Sequence, residues 1–459
     1  MDPVLPAYLE DASGMSGRAD CLFRPRTAVE AAAILLEASR TRTPVTVAGA
    51  GTGVTGGRVP DGGWILSTER FDRVEIGIGS AWVGAGVLLS QLQFAAKATG
   101  QFYAPDPTEW SASIGGTIAT NASGSRSFLY GSTRQNLIAV TVALMDGSVH
   151  TFRAGEKIDF AYEKLPENGL KKHTSGYFLH ENSDFLQLFC GSEGTLGVVL
   201  EAEIALLPLP RKLLTGVVFF VSDSDALDAV DIWRGVPGLR MIEYFDAPSL
   251  NLMRAAYPQI PGAASAALLI EQIGDGIVED VEDAWLERLE AAQALEDSWF
   301  GTTESDRERF RIFRHKLPEI VNDKVRRNGF QKMSTDLAVP LEKNREMMRW
   351  YKQRLEGEFP GRFVIFGHIG DAHVHINILP ETEDDARRGR EFLFDAARQS
   401  VQLGGTVSAE HGLGKKKAHF LPLEYSAAQI ESMCAVKRRL DPHWLLGRGT
   451  LLPVPGGLS

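Results

Sequence analysis

Apolar and polar positions along the chain alternate between helical and strand periods, the mark of a mixed α and β protein. Thr27 and Glu30 bracket Ala28 and Val29 as a capping box. Their hydroxyl and carboxylate suit the first free amides of a helix reaching about Ser39. Residues 43–47 predict a short strand that runs straight into glycines, residues 74–78 a second strand, and residues 87–98 a helix. The run Leu-Leu-Pro-Leu-Pro-Arg at 206–211 reads as a linker and sets a boundary at about residue 209. Beyond it, strand patterns occupy 216–221 and 266–273, and an acidic amphipathic helix spans about 279–295. In 373–378 the alternation places His373, His375 and Asn377 on one face and Val374, Ile376 and Ile378 on the other. Three segments follow: 1–208, 209–425, and a helix with a tail at 426–459 that returns to the first.

With 459 residues the chain has material for two or three folded units, and 44% hydrophobic against 23% charged residues is ordinary globular composition. Lys and Arg number 48 against 59 Asp and Glu, a formal charge of −11. That balance excludes a protein built to grip nucleic acid or anionic lipid over a broad face, but it admits a small anionic substrate that needs one or two local cations. Cys21, Cys190 and Cys434 are three and far apart, which excludes a disulfide framework or a cysteine zinc cluster and points to a reducing compartment. No apolar run approaches the ~20 residues of a membrane span. The opening MDPVLPAYLEDASG lacks a signal pattern, so a soluble, cytoplasmic protein is expected.

The 46 glycines change the picture because they cluster. Gly51-x-Gly53-x-x-Gly56 follows a strand and matches the dinucleotide fingerprint, yet the third glycine should lie within a helix. The sequence Gly56-Gly-Arg-Val-Pro-Asp-Gly-Gly63 cannot continue one, and no strand ends in an acid about 20 residues on. NAD is therefore disfavoured. Such a loop still offers main-chain N–H groups to a diphosphate. Small residues in the second cluster, Ser113-Ile-Gly-Gly116-Thr-Ile-Ala-Thr-Asn-Ala-Ser-Gly124, let a flat ring system lie against backbone.

A second constellation comes from the ten histidines. Gly367-His368-Ile-Gly-Asp371-Ala-His373-Val-His375-Ile-Asn377 and Ala409-Glu410-His411-Gly-Leu-Gly414 bring imidazole and carboxylate donors together, a set suited to Zn²⁺, Mn²⁺ or Fe²⁺. Two surface histidines on a strand are the plainer alternative.

The stretches GAGTGVTGG, PDPTEWSASIGGTIATNASG and GSEGTLGVV, in this order, resemble the vanillyl-alcohol-oxidase (PCMH-type) flavoproteins. The resemblance is to their D-lactate dehydrogenase, glycolate oxidase flavin subunit and D-2-hydroxyglutarate dehydrogenase group, and it continues through GHIGDAHVHIN and SAEHG. It implies an α+β fold: an FAD-binding domain of two α/β subdomains, then an α+β cap domain with a mainly antiparallel sheet. It implies that Gly51, Thr52, Gly53, Val54, Thr55, Gly56 and Gly57 cradle the FAD pyrophosphate. Pro105, Ser113, Gly116, Thr120, Asn121 and Gly124 would line the flavin and ribityl chain; Glu193, Gly194, Gly197 and Val198 would line the adenine-ribose side. No histidine occurs before residue 150 and Cys21 lies outside the glycine loops, so the FAD is expected to be non-covalent.

The same resemblance makes His368, His375 and Glu410 ligands of a divalent metal, zinc foremost with manganese or iron as alternatives. It makes Asn377 a polar group on the substrate side and His411 the base. It sets an arginine before a short helix to grip the substrate carboxylate, here Arg314, and leaves Lys332 as a second cation. Where relatives carry Asp-Gly-Asn, this chain has Asp371-Ala372-His373, a third imidazole beside the ligands. The implied reaction is oxidation of a D-2-hydroxy acid, D-lactate foremost, with D-2-hydroxyglutarate or glycolate as alternatives. A flavin subunit of a larger oxidase is a further alternative. Another substrate of the superfamily, such as an aldonolactone, an alcohol or an ether-lipid precursor, fits the histidine set less well. Electrons would leave to quinone, cytochrome, electron-transfer flavoprotein or oxygen. A homodimer is compatible with the sequence; nucleic acid is not an expected partner.

Overall fold

The computed structural model describes residues 2–275 and 281–454. The N-terminal part carries two sheets. Strands Cys21–Phe23, Trp64–Ser67 and Val45–Ala48 pair in that order and all parallel. Strands Val74–Ile76, Ser80–Gly84, Val198–Ala205, Leu137–Ala143 and Val149–Arg153 form an antiparallel sheet of five. Thr27 caps the helix Ala28–Thr41 by accepting the amide of Glu30. The Glu30 carboxylate accepts from Arg26 rather than closing the expected box on Thr27.

An eight-stranded antiparallel sheet follows, ordered Trp299–Gly301, Leu213–Phe220, Ala266–Ile273, Leu239–Asp246, Phe363–Gly367, His373–Ile378 and Met333–Ser334, with Leu337–Ala338 also on His373–Ile378. Both faces are covered. Along Leu213–Phe220 the side chains of Leu214, Val218 and Phe220 enter one apolar cluster, while Val217 and Phe219 enter another built on the long helix Glu304–Arg327. Burial on two faces is why this strand reads as a continuous apolar run rather than an alternating one. A charged residue inside such a strand must therefore meet a partner indoors.

Several sequence expectations shift at their ends. The strand at 74–78 stops at Ile76, because residues 77–80 make a turn in which the Gly77 amide donates to the Ser80 carbonyl. The acidic helix is Val281–Ala291; its expected first turn at Glu279 lies outside the described residues. The segment read as a linker is held down: Leu207–Pro208 pairs with Gln101–Phe102, and the amides of Leu206 and Leu209 donate to the Gly79 and Gly100 carbonyls.

The tail packs back on the first sheet. After the helix Ala427–Leu440, the Leu445 carbonyl accepts from Val45, and Leu451 donates to Gly414. Lys437 fastens this return: its buried Nζ donates to Asp441 Oδ2 at 2.6 Å, to the Leu446 carbonyl at 2.7 Å and to the Thr195 carbonyl at 2.6 Å. Asp441 is also buried. Removing one partner of such a pair strands the other charge, at a cost of ~3–5 kcal/mol. Lys437→Met is expected to lower the thermal unfolding midpoint by several degrees in scanning calorimetry, whereas an unchanged midpoint would show the return to be unimportant for stability.

Candidate functional site

The strand Val45–Ala48 delivers the chain into residues 49–57, and Ser113 joins that loop to the second glycine cluster. Its Oγ accepts from the amides of Ala50 and Gly116, both at 3.3 Å, and so also caps the short helix Ile114–Ala119. A Cβ on Gly49 would lie 2.7 Å from that Oγ, so the close approach of the two loops requires glycine there. At Gly124, φ is +91° and a Cβ would meet the Asp106 carbonyl oxygen at 1.9 Å. Between these loops, and between Val47 of one sheet and Val199 of the other, runs a cleft of about 570 Å³.

Of the residues singled out for cofactor binding, Gly51, Thr52, Gly53, Val54, Thr55, Gly57, Ser113, Gly116, Thr120, Gly124, Glu193, Gly194 and Gly197 line this cleft. Gly56, Pro105, Asn121 and Val198 do not line it. Asn121 is buried and accepts from Ser132 Oγ and the Arg134 amide, while Val198 belongs to an apolar cluster. Glu193 has a further role: its two oxygens accept the amides of Leu413 and Gly414 at 2.8 and 2.7 Å, which shapes the loop carrying Glu410 and His411. Burial pushes this carboxyl up to about 7.

At one end of the cleft stand Glu410, His411 and Lys332. Glu410 uses its two oxygens differently. Oε2 accepts from Ser123 Oγ at 3.0 Å, from Lys172 Nζ at 3.1 Å and from the Gly124 amide at 3.3 Å. Oε1 faces Nε2 of His368 and Nε2 of His375, each at 3.3 Å. The far nitrogens are oriented as well, since His368 Nδ1 bonds Glu243 and His375 Nδ1 lies 3.2 Å from the Thr335 carbonyl. Bonds of ~2.0–2.2 Å to one ion separate neighbouring donors by ~3.0 Å in an octahedron and ~3.5 Å in a tetrahedron, and 3.3 Å falls between. Two imidazole nitrogens and a carboxylate oxygen at this spacing, backed by a carboxylate and a carbonyl, could hold a divalent cation.

The strand alternation brings His373 into the same cluster. One donor atom from each of His368, His373, His375 and Glu410 lies within 4.8 Å of the others, while Val374, Ile376 and Ile378 enter the core. Asn377 is buried, and neither of its amide atoms has a hydrogen-bond partner among the described residues. The expected position of Arg314 needs correction. It lies in the middle of the helix Glu304–Arg327, not before a short one, because the helix continues through Pro318. That proline has no amide to offer the Arg314 carbonyl. The guanidinium reaches toward the histidines but pairs with Glu243 at 2.9 Å.

Three buried residues that sequence reasoning passed over organise this end. Glu243 stands between Arg314 and His368; burial alone would raise its pKa, but these two neighbours hold it well below the usual carboxylate range. Asp336 accepts from the amides of Glu410 and His411 and from Ser408 Oγ, and it lies 3.4 Å from His373 Nε2 and 3.5 Å from His411 Nδ1. Burial opposes its charge too, yet His411 and Lys417 hold it well below the ordinary range. Lys172 is fully buried and also donates to the Gly124 carbonyl at 2.9 Å. A signal existed for two of them. Glu243 interrupts the apolar strand LRMIEYFD and Asp336 interrupts STDLAV. Lys172, in the loop KKHTSG, carries none. Burial pushes His373 down to about 3 and His411 down to about 4, so both rings are neutral at neutral pH.

Gly53 gives a test of the cleft that spares the fold, because a Cβ there would meet nothing closer than Asp11 Oδ2 at 3.9 Å. Gly53→Asp puts a carboxylate where a diphosphate is expected. The purified variant should lose at least tenfold in bound flavin by its visible absorbance, with an unfolding midpoint near that of the flavin-free wild type.

Comparisons with known proteins agree with this geometry. Residues 209–451 match the family model described as FAD linked oxidases, C-terminal domain, and residues 19–153 match the FAD binding domain. The glycolate oxidase subunit GlcD of Bacillus subtilis is 30% identical over 94% of this chain and 88% of its own length. A D-lactate dehydrogenase of Archaeoglobus fulgidus is 30% identical over 94% and 91%. The mitochondrial D-2-hydroxyglutarate dehydrogenase of Bos taurus is 30% identical over 95% and 77%. A solved structure of alkyldihydroxyacetonephosphate synthase superposes with a TM-score of 0.68 at 16% identity, covering 93% of this chain and 76% of that one, and so shares the fold. With an FAD-binding domain of two subdomains and an antiparallel cap, the chain belongs to the FAD-linked oxidases.

Proposed function

We propose that this enzyme oxidises a D-2-hydroxy acid, D-lactate foremost, to the 2-oxo acid, assisted by a divalent cation on His368, His375 and Glu410. One observation carries the reading: Glu410 borders the flavin cleft and at the same time turns one oxygen to two imidazole Nε2 atoms. The names of the three relatives support a 2-hydroxy acid, since lactate, glycolate and 2-hydroxyglutarate share that group. In this reading residues 1–208, with the returning tail, hold the flavin and residues 209–425 present the substrate groups. When bound, FAD accepts the hydride from Cα, and the cation lowers the pKa of the substrate hydroxyl.

The protein's own groups bind, orient and take the proton. His411 is half-buried at the cleft, and its desolvation pushes it down to about 4, so near pH 7 its Nε2, 3.7 Å from Glu410 Oε1, can accept the hydroxyl proton while Asp336, 3.5 Å from Nδ1, stabilises the cation that forms. Asn377, buried beyond His375 on the same strand face, offers a polar contact. Arg314 is already compensated by Glu243, whereas Lys332, on the cleft, forms no ion pair among the described residues. Arg58 also lines the cleft without an ion pair among the described residues, but it donates to the Gly49 carbonyl in the glycine loop, so Lys332 is the cation offered to a substrate carboxylate beside Glu410 and His411, which favours a monocarboxylate such as lactate or glycolate. Glycolate is the second reading, supported by the relative in Bacillus subtilis. The reduced flavin would then pass its electrons to an external acceptor.

Anaerobic mixing with D-lactate is expected to bleach the visible flavin spectrum, and L-lactate to leave it unchanged. If neither D-lactate nor glycolate nor D-2-hydroxyglutarate reduces the flavin, the substrate class is wrong. His411→Gln should lower the rate of flavin reduction by ~10²–10⁴-fold with little change in flavin content. A rate within threefold of wild type would assign the base elsewhere.

A further inference from the structure

The sequence leaves a third imidazole beside the metal-binding set without a task, and its surroundings give it one. His373 is fully buried; among the described residues its Nδ1 has no hydrogen-bond partner, and Nε2 has only Asp336 Oδ1 at 3.4 Å, too poorly aligned for a full hydrogen bond. A buried ring nitrogen without a partner has lost its water uncompensated, unless something that is not protein satisfies it. The nearest polar group on one side is Asp336 Oδ1, 3.4 Å from Nε2. On the other side lie the metal-binding rings: the His373 centroid is 4.6 Å from that of His375 and 5.3 Å from that of His368, and those two are 5.4 Å apart. Imidazoles bonded to one ion at ~2.1 Å have centroids ~3.2 Å from it, hence ~4.5 Å apart at right angles and ~5.2 Å apart at tetrahedral angles. All three separations sit close to that span.

We infer that His373 is a fourth protein donor to the cation, making the set three imidazoles and one carboxylate. This rests on the metal reading above and extends it. It also narrows the ion. Four protein donors close a tetrahedral site, and a catalytic site needs an open position. The set therefore favours an ion that readily takes more than four ligands, Mn²⁺ or Fe²⁺ over Zn²⁺, which would leave room for the substrate hydroxyl. Asp336 then stands to His373 as Glu243 stands to His368, a carboxylate beside a ligand ring.

The test uses the flavin-loaded enzyme, stripped of metal and reloaded with Mn²⁺ alone. Electron–nuclear double resonance counts the imidazole nitrogens coupled to the ion. Three support the inference; two, with Mn²⁺ bound, overturn it and leave the metal reading standing. Competition with a chelator should show His373→Asn holding Mn²⁺ at least tenfold more weakly than wild type at equal flavin content, and equal affinity also overturns the inference. Wild-type protein that binds no divalent ion defeats the metal reading itself, and this inference with it.

Discussion

The arrangement depends on the two oxygens of one buried carboxylate. Glu410 gives Oε2 to the flavin-binding half, where Lys172, Ser123 and the Gly124 amide donate to it, and gives Oε1 to the imidazoles of the cap. A single side chain thus ties the glycine-lined wall of the cleft to His375 on its strand and to His368 in the turn before it. Burial opposes the charge on Glu410, but Lys172 and His368 hold its pKa well below the ordinary value, so it remains an acceptor on both sides.

Such a cluster is expensive to assemble. Glu243, Asp336, Asp371 and Glu410 are gathered with Lys172, Arg314, Lys417 and four imidazoles in largely dry surroundings, and each charge left unmatched would cost several kcal/mol. The pairings are nearly all between distant parts of the chain: Lys172 to Glu410, Glu243 to His368, Asp336 to His411. Binding geometry and folding are therefore coupled here. The site is complete only where both halves meet, while Lys437 fastens the tail to the first half alone, through the Thr195 carbonyl.

The cleft and the cluster differ in what they ask of the chain. The cleft needs close approach of backbone, which glycine alone allows at Gly49 and Gly124. The cluster needs long side chains delivered from two strands, a helix and four loops to within about 3–4 Å of their partners, with each ring nitrogen turned the right way. The first is a local property of a few consecutive residues. The second is a property of the assembled sheet, with Glu243 and His368 presented from neighbouring antiparallel segments.

What the sequence determined by itself is accordingly the local part. Glycine spacing marked the cleft, the period of two put His373 and His375 on one face of His373–Ile378, and the motif resemblance placed the chain among FAD-linked oxidases. Only the tertiary structure decided how charges are shared. It showed Arg314 inside a long helix and already paired with Glu243, Glu193 turned to the Leu413 and Gly414 amides, and Lys172 and Asp336 as the hidden supports of Glu410 and His411. The reason is physical. A glycine's conformational range and a strand's alternation are set by neighbours along the chain, whereas a buried charge takes whatever opposite charge the packing brings within a few ångströms, from any distance in sequence.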